Sequence, residues 1–134
     1  MEQARRGLDS EPVKNEDYRV AYAVAEDNLR PGHTVIADSV NPLTVTRAAW
    51  RAVATRVPAP YLEVEIVCSD EAEHRRRVET RIPDIEGFEL PGWQAVSERE
   101  YDAWDPDLVI DTARLSVEQS VEAIRAALDG ETSI

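Results

Sequence analysis

The sequence predicts an α/β domain with a mainly parallel sheet. Three short apolar runs rich in β-branched residues, at 33–37, 62–68 and 108–110, are separated by stretches of helical periodicity. Strands that alternate with helices become parallel neighbours, because a helical crossover returns the chain in the same direction. Two of the runs end on an acid, Asp38 and Asp111. Ligands of open α/β sheets gather at that end of the strands.

Each element has its own local reason. Residues 1–14 are polar and aperiodic, contain Gly7 and Pro12, and read as a loose arm. Asn15 is a candidate cap for a first helix whose apolar face is Tyr18, Ala21, Tyr22, Ala25 and Leu29. Pro31-Gly32 ends it. Residues 33–37, His-Thr-Val-Ile-Ala, read as a buried strand. Asn41 and Pro42 suit the start of a second helix with Val45, Ala48, Ala49, Ala52 and Val53 as its face, and Pro58 and Pro60 stop it. Residues 62–68 alternate as a second strand, with Leu62, Val64, Ile66 and Cys68 on one side.

Ser69 and Asp70 open a highly charged helix to about Arg81, in which Ala72 and Val78 are the core candidates. Residues 82–93 are irregular, and 94–104 read as a short amphipathic helix. A third strand ends at Asp111. Ser116 and Gln119 form a capping box for a last helix with Val117, Val121, Ile124 and Leu128 inward and Gly130 at its close. The domain expected from these elements covers 15–130, with a lid-like segment at about 70–104 and a tail at 131–134.

Composition narrows the function classes. The chain has 134 residues, 43% of them hydrophobic, which suits one globular domain. A net charge of −12 repels phosphodiester backbones, so no nucleic-acid partner is expected. No apolar run reaches membrane-spanning length and no signal sequence opens the chain, so no membrane partner and a cytoplasmic setting are expected. The single Cys68 excludes an internal disulfide and reads as a structural thiol. His33 and His74 lack partners at zinc-ligand spacing, and Ser39 lacks a nucleophile elbow. Trp50, Trp93 and Trp104 read as packing anchors.

Three groups of residues could carry chemistry. Asp38 ends an apolar strand, where an aspartate can hold magnesium through water or cap a turn. Arg77 and Arg81 share a helix face and could clamp phosphate oxygens, or pair with the neighbouring glutamates on a solvated surface. Asp111-Thr112 could line a nucleotide-base pocket or form a turn.

The blocks Asp17-Tyr18-Arg19-Val20-Ala21-Tyr22, Ala25-Glu26-Asp27-Asn28-Leu29 and Val35-Ile36-Ala37-Asp38-Ser39-Val40-Asn41-Pro42 resemble bacterial AAA-family ATP-binding proteins. These are small kinases of the adenylate-kinase-like P-loop fold. The likeness continues through Cys68-Ser69-Asp70, the stretch from Glu73 to Glu79 with Arg81, and Ile110-Asp111-Thr112, and covers about residues 15–128. It implies a three-layer P-loop NTPase sheet and ATP with magnesium as cofactors. It implies Asp38 as the magnesium-side acid, Asn41 and Arg47 on the substrate side, Arg77 and Arg81 as lid arginines, and Asp111 and Thr112 near adenine. The acceptor implied is an unidentified small molecule.

One motif of that family is missing from the sequence. A phosphate-binding loop needs GxxxxGK followed by Ser or Thr. Gly87 and Gly92 have the glycine spacing, but Trp93-Gln94 follows them, and the only lysine is Lys14. The family's first strand, P-loop, helix and second strand would all lie before Met1. The expectation is therefore an N-terminally truncated kinase domain, inactive by itself. The alternative is a non-catalytic scaffold that acts through a partner or as a homo-oligomer across unpaired strand edges.

Overall fold

The computed structural model describes residues 18–83, 87 and 90–132. The proposed cap Asn15, the 1–14 arm and parts of the irregular 82–93 stretch lie outside them. The described elements are α1 (Arg19–Leu29), α2 (Thr44–Arg56), β1 (Val64–Val67), α3 (Glu71–Thr80), α4 (Trp93–Ser97), β2 (Leu108–Asp111) and α5 (Val117–Thr132). The chain divides into two compact units. Of the described residues, one unit comprises 18–61 with 101–104, and the other comprises the rest from 62 to 132.

In the first unit α1 packs on α2. Ala25 of α1 and Thr46, Arg47, Val53 and Ala54 of α2 form its buried centre. Tyr22 meets Trp50 edge to face at 4.7 Å, a favourable arrangement of ring quadrupoles. The buried stripe of α2 differs from the expected one, since Val45 is 54% exposed while Arg47 is 2% exposed. Asn41 does not cap this helix. It lies two residues before the N-cap Leu43 and has a left-handed backbone, φ 48°. The capping acceptor is Asp102, whose Oδ2 receives the Thr44 N–H at 2.8 Å and its hydroxyl at 3.0 Å.

The expected strand at 33–37 is not formed. Among the described residues the only sheet pairs β1 with β2, and residues 34–40 make no backbone hydrogen bond to one another or to any strand. A strand exists only as a member of a ladder, so a strong β propensity without a neighbour leaves an irregular segment. Ile36, placed in a buried strand by its sequence, is 88% exposed.

The second unit carries the parallel pair. Val64, Glu65, Ile66 and Val67 stand opposite Leu108, Val109, Ile110 and Asp111. Ile110 is completely buried, whereas Ile66 is 63% exposed, so the expected inward side of β1 is only partly covered. Asp70 accepts the Glu73 N–H at 3.1 Å and starts α3 as anticipated. Ser116 and Gln119 close the expected box reciprocally, at 3.1 and 2.8 Å. Gly130 does not end α5, which continues to Thr132. The helix expected at 94–104 stops at Ser97, and 101–104 packs in the first unit instead. The observed class is a mixed α/β chain with a small parallel sheet.

Candidate functional site

The first unit holds an open cleft of about 630 Å³ between α1 and the 34–39 segment. Tyr18, Val24, Ala25, Val35, Ile36 and Trp50 give it a mostly apolar lining, and Asp38 is its one charged residue. Asp38 is exposed, and among the described residues its carboxylate has no protein partner. That leaves its oxygens available to water or a cation. No cluster of three metal-ligating side chains occurs among the described residues. An isolated carboxylate does not hold a transition metal, but it suits magnesium, which keeps waters and takes further oxygens from phosphate.

Asn41 and Arg47 lie beside one another. The Arg47 Nε donates to the Asn41 carbonyl at 3.0 Å, and Nη2 donates to that of Pro42 at 3.2 Å. Nη1 donates to Asp102 O at 2.9 Å and Ala103 O at 3.3 Å. Its guanidinium carbon sits 4.8 Å from the Tyr101 ring centre and 4.6 Å from that of Trp104. The charge is thus taken from water and repaid by carbonyl dipoles and two ring faces. Arg47 joins the 101–104 segment to the start of α2. The Asn41 Oδ1 is buried without a hydrogen-bond partner among the described residues.

The second unit gathers three of the other predicted residues at the carboxyl ends of β1 and β2. Thr112 continues the ladder past β2. Its N–H donates to Val67 O at 2.8 Å, and its hydroxyl donates to the same oxygen at 3.0 Å. With its proton so committed, the hydroxyl accepts from Arg77 Nη1 at 2.8 Å, while Arg77 Nη2 reaches the Thr112 carbonyl at 3.2 Å. The Arg77 Nε pairs with Glu73 at 2.7 Å. Asp111 accepts the N–H groups of Ser69 and Ala113, both at 3.0 Å. The hydrogen bond from Ser69 and that from Ala113, with the Arg114 charge, hold its carboxyl below the usual range. Arg81 sits apart from this group and donates to the Pro91 carbonyl.

Glu73 is the most strongly perturbed acid among the described residues. Hydrogen bonds from Arg76 and Arg77, with their charges, lower its pKa to about 2. Sequence periodicity placed Glu73 near these arginines. The Asp102 cap and the aromatic clasp on Arg47 had no such signal, since both contacts span more than fifty residues.

The chain is similar to the adenylyl-sulfate kinase of Geotalea uraniireducens (strain Rf4), with 30% identity over 125 residues. The similarity takes in 90% of this chain and 59% of the relative, so the chain spans about six-tenths of that protein's length. This supports a P-loop kinase-like relationship. No family model matches the chain, and no solved structure matches it.

Proposed function

We propose that the chain is an ATP-binding member of the small-molecule kinases that does not transfer phosphate by itself. The 30% identity that runs through nine-tenths of the chain carries this reading. The AAA-type kinase with a three-layer sheet, N-terminally truncated, remains its finer form. Asp38 fits the magnesium-side acid because its oxygens are free to accept, and magnesium with ATP would supply charge neutralisation at the phosphates. The sequence given has no GxxxxGK motif to cradle those phosphates, and positioning dominates phosphoryl transfer.

The chain's own residues contribute the rest. Arg77, poised on Thr112 at the strand ends, and Arg81, the extended residue just past α3, serve as lid cations that meet charge on the transferred group. Asp111 and Thr112 shape the nearby turn for the nucleotide base. Arg47 acts on the acceptor side by fixing the backbone around Asn41, since its own donors are already committed to carbonyls. The acceptor is an anionic small molecule of the adenylyl-sulfate kind, by analogy with the relative's name. A cytoplasmic location accords with this chemistry; among the described residues no helix is long and apolar enough to cross a membrane.

The test is ¹⁵N-NMR titration of the chain with magnesium-ATP, together with a γ-phosphate transfer assay on adenylyl sulfate. Expected are amide shifts at Arg77 and Asp111–Arg114 with no turnover. Unmoved spectra at millimolar nucleotide would discard the kinase reading in favour of a non-catalytic scaffold. Turnover would discard the claim of inactivity. In any longer form that does transfer phosphate, Arg77→Ala and Arg81→Ala should lower turnover more than nucleotide affinity.

A further inference from the structure

Residues 34–40 are the least satisfied part of the described chain. Thr34, Val35 and Ile36 have strong β propensity, yet no backbone N–H or carbonyl of 34–40 has a protein partner among the described residues. Ile36 is 88% exposed and Val40 is 52% exposed. Val24 of α1, which lines the same cleft, is 55% exposed. An apolar, unpaired, β-prone edge is a template for another strand.

We propose that this edge pairs with the same edge of a second copy, as an antiparallel two-chain ribbon centred on Ile36. The sequence of the segment is self-complementary under that symmetry. A two-fold axis normal to a ribbon requires opposed residues to share a face, so their numbers must sum to an even value. Centring on Ile36 sets Ile36 against its own counterpart, Val35 against Ala37 and Thr34 against Asp38. Ile36, the most exposed large apolar side chain among the described residues, is then covered by its equal. The Asp38 carboxylate, unpaired in the single chain, receives the Thr34 hydroxyl of the other copy, and this happens twice per dimer. Pairing also supplies the backbone partners that 34–38 lacks. The register brings no two like charges opposite each other, whereas a shift of two residues to centre on Ala37 sets Asp38 against Ile36 and leaves both apolar and charged groups mismatched. This interface does not depend on the phosphotransfer reading.

Sedimentation equilibrium of the whole chain, between about 10 µM and 1 mM, tests it. A reversible dimer is expected. Ile36→Asp, which opposes two carboxylates at the centre of the ribbon, should weaken it about tenfold or more. Ile66→Asp, the same change at a 63% exposed isoleucine of β1, should leave it intact. Amide exchange provides a second readout: protection at residues 34–38 should rise with protein concentration in the wild type and not in Ile36→Asp. A monomer throughout the range overturns the proposal. So does a dimer equally sensitive to both substitutions, or concentration-independent protection of 34–38, which would mean that another part of the same chain covers the edge.

Discussion

Arg77 and Thr112 are thirty-five residues apart in sequence and joined by two hydrogen bonds, from the guanidinium to the hydroxyl at 2.8 Å and to the carbonyl at 3.2 Å. Thr112 also holds the Val67 carbonyl. One threonine thus ties α3 to the carboxyl ends of both strands. Arg77→Ala should destabilise the chain by about 1 kcal/mol, the net worth of exposed hydrogen bonds. In urea denaturation, the double variant with Thr112→Val should lose less than the sum of the two single variants, because both remove the same link. Strict additivity would show that the link contributes nothing.

Arg47 should be far less replaceable. Removing its side chain leaves the Asn41, Asp102 and Ala103 carbonyls without their guanidinium donor, while Pro42 keeps the Asp102 N–H, and opens a buried void beneath two ring faces. Arg47→Ala should cost about 3 kcal/mol or more in chemical denaturation. Lysine should recover only part of this loss, since an ammonium lacks the planar fork that reaches carbonyls on two sides. Full recovery with lysine would mean that charge alone, without the fork, holds the clasp.

The Ser116–Gln119 box should support α5. Ser116→Ala should lower stability by about 1 kcal/mol, and Ser116→Asp should restore most of it, because aspartate also accepts the Gln119 N–H. Thermal melts followed by circular dichroism would measure both. Equal melting of all three proteins would contradict the reading.

Acid should loosen the chain through Glu73. Its folded-state pKa is about 2, below the usual glutamate value, owing to Arg76 and Arg77. Between the two values the unfolded chain binds more protons than the folded one. The stability from Glu73 is therefore present above the unfolded pKa and is lost as pH falls through that window to about 2. Asp102 and Asp111 are shifted in the same direction and add to the slope. Glu73→Gln should flatten the acid limb of a stability-versus-pH curve; an unchanged limb would place the effect on other carboxylates.

The local chemistry of the site was more legible than its assembly. Asp70 and Ser116 announced their helices because a cap needs only a side-chain oxygen and an N–H three residues on. The β1 and β2 runs were readable for the same short-range reason, and the spacing of Arg77 from Glu73 foreshadowed their ion pair. The Arg77–Thr112 link was not readable, because it depends on which strand end α3 approaches.

The sequence by itself determined the parallel runs of β1 and β2, the caps of α3 and α5 at Asp70 and Ser116, and the lack of a GxxxxGK motif in the sequence given. Tertiary structure alone decided the fate of 33–37, because β propensity becomes a strand only when a neighbour supplies the other half of each hydrogen bond. It alone made Asp102 the cap of α2, sent 101–104 to the first unit, and made Arg47, expected on the substrate side, a buried clasp. Those outcomes depend on partners more than fifty residues away, which no local period or spacing encodes.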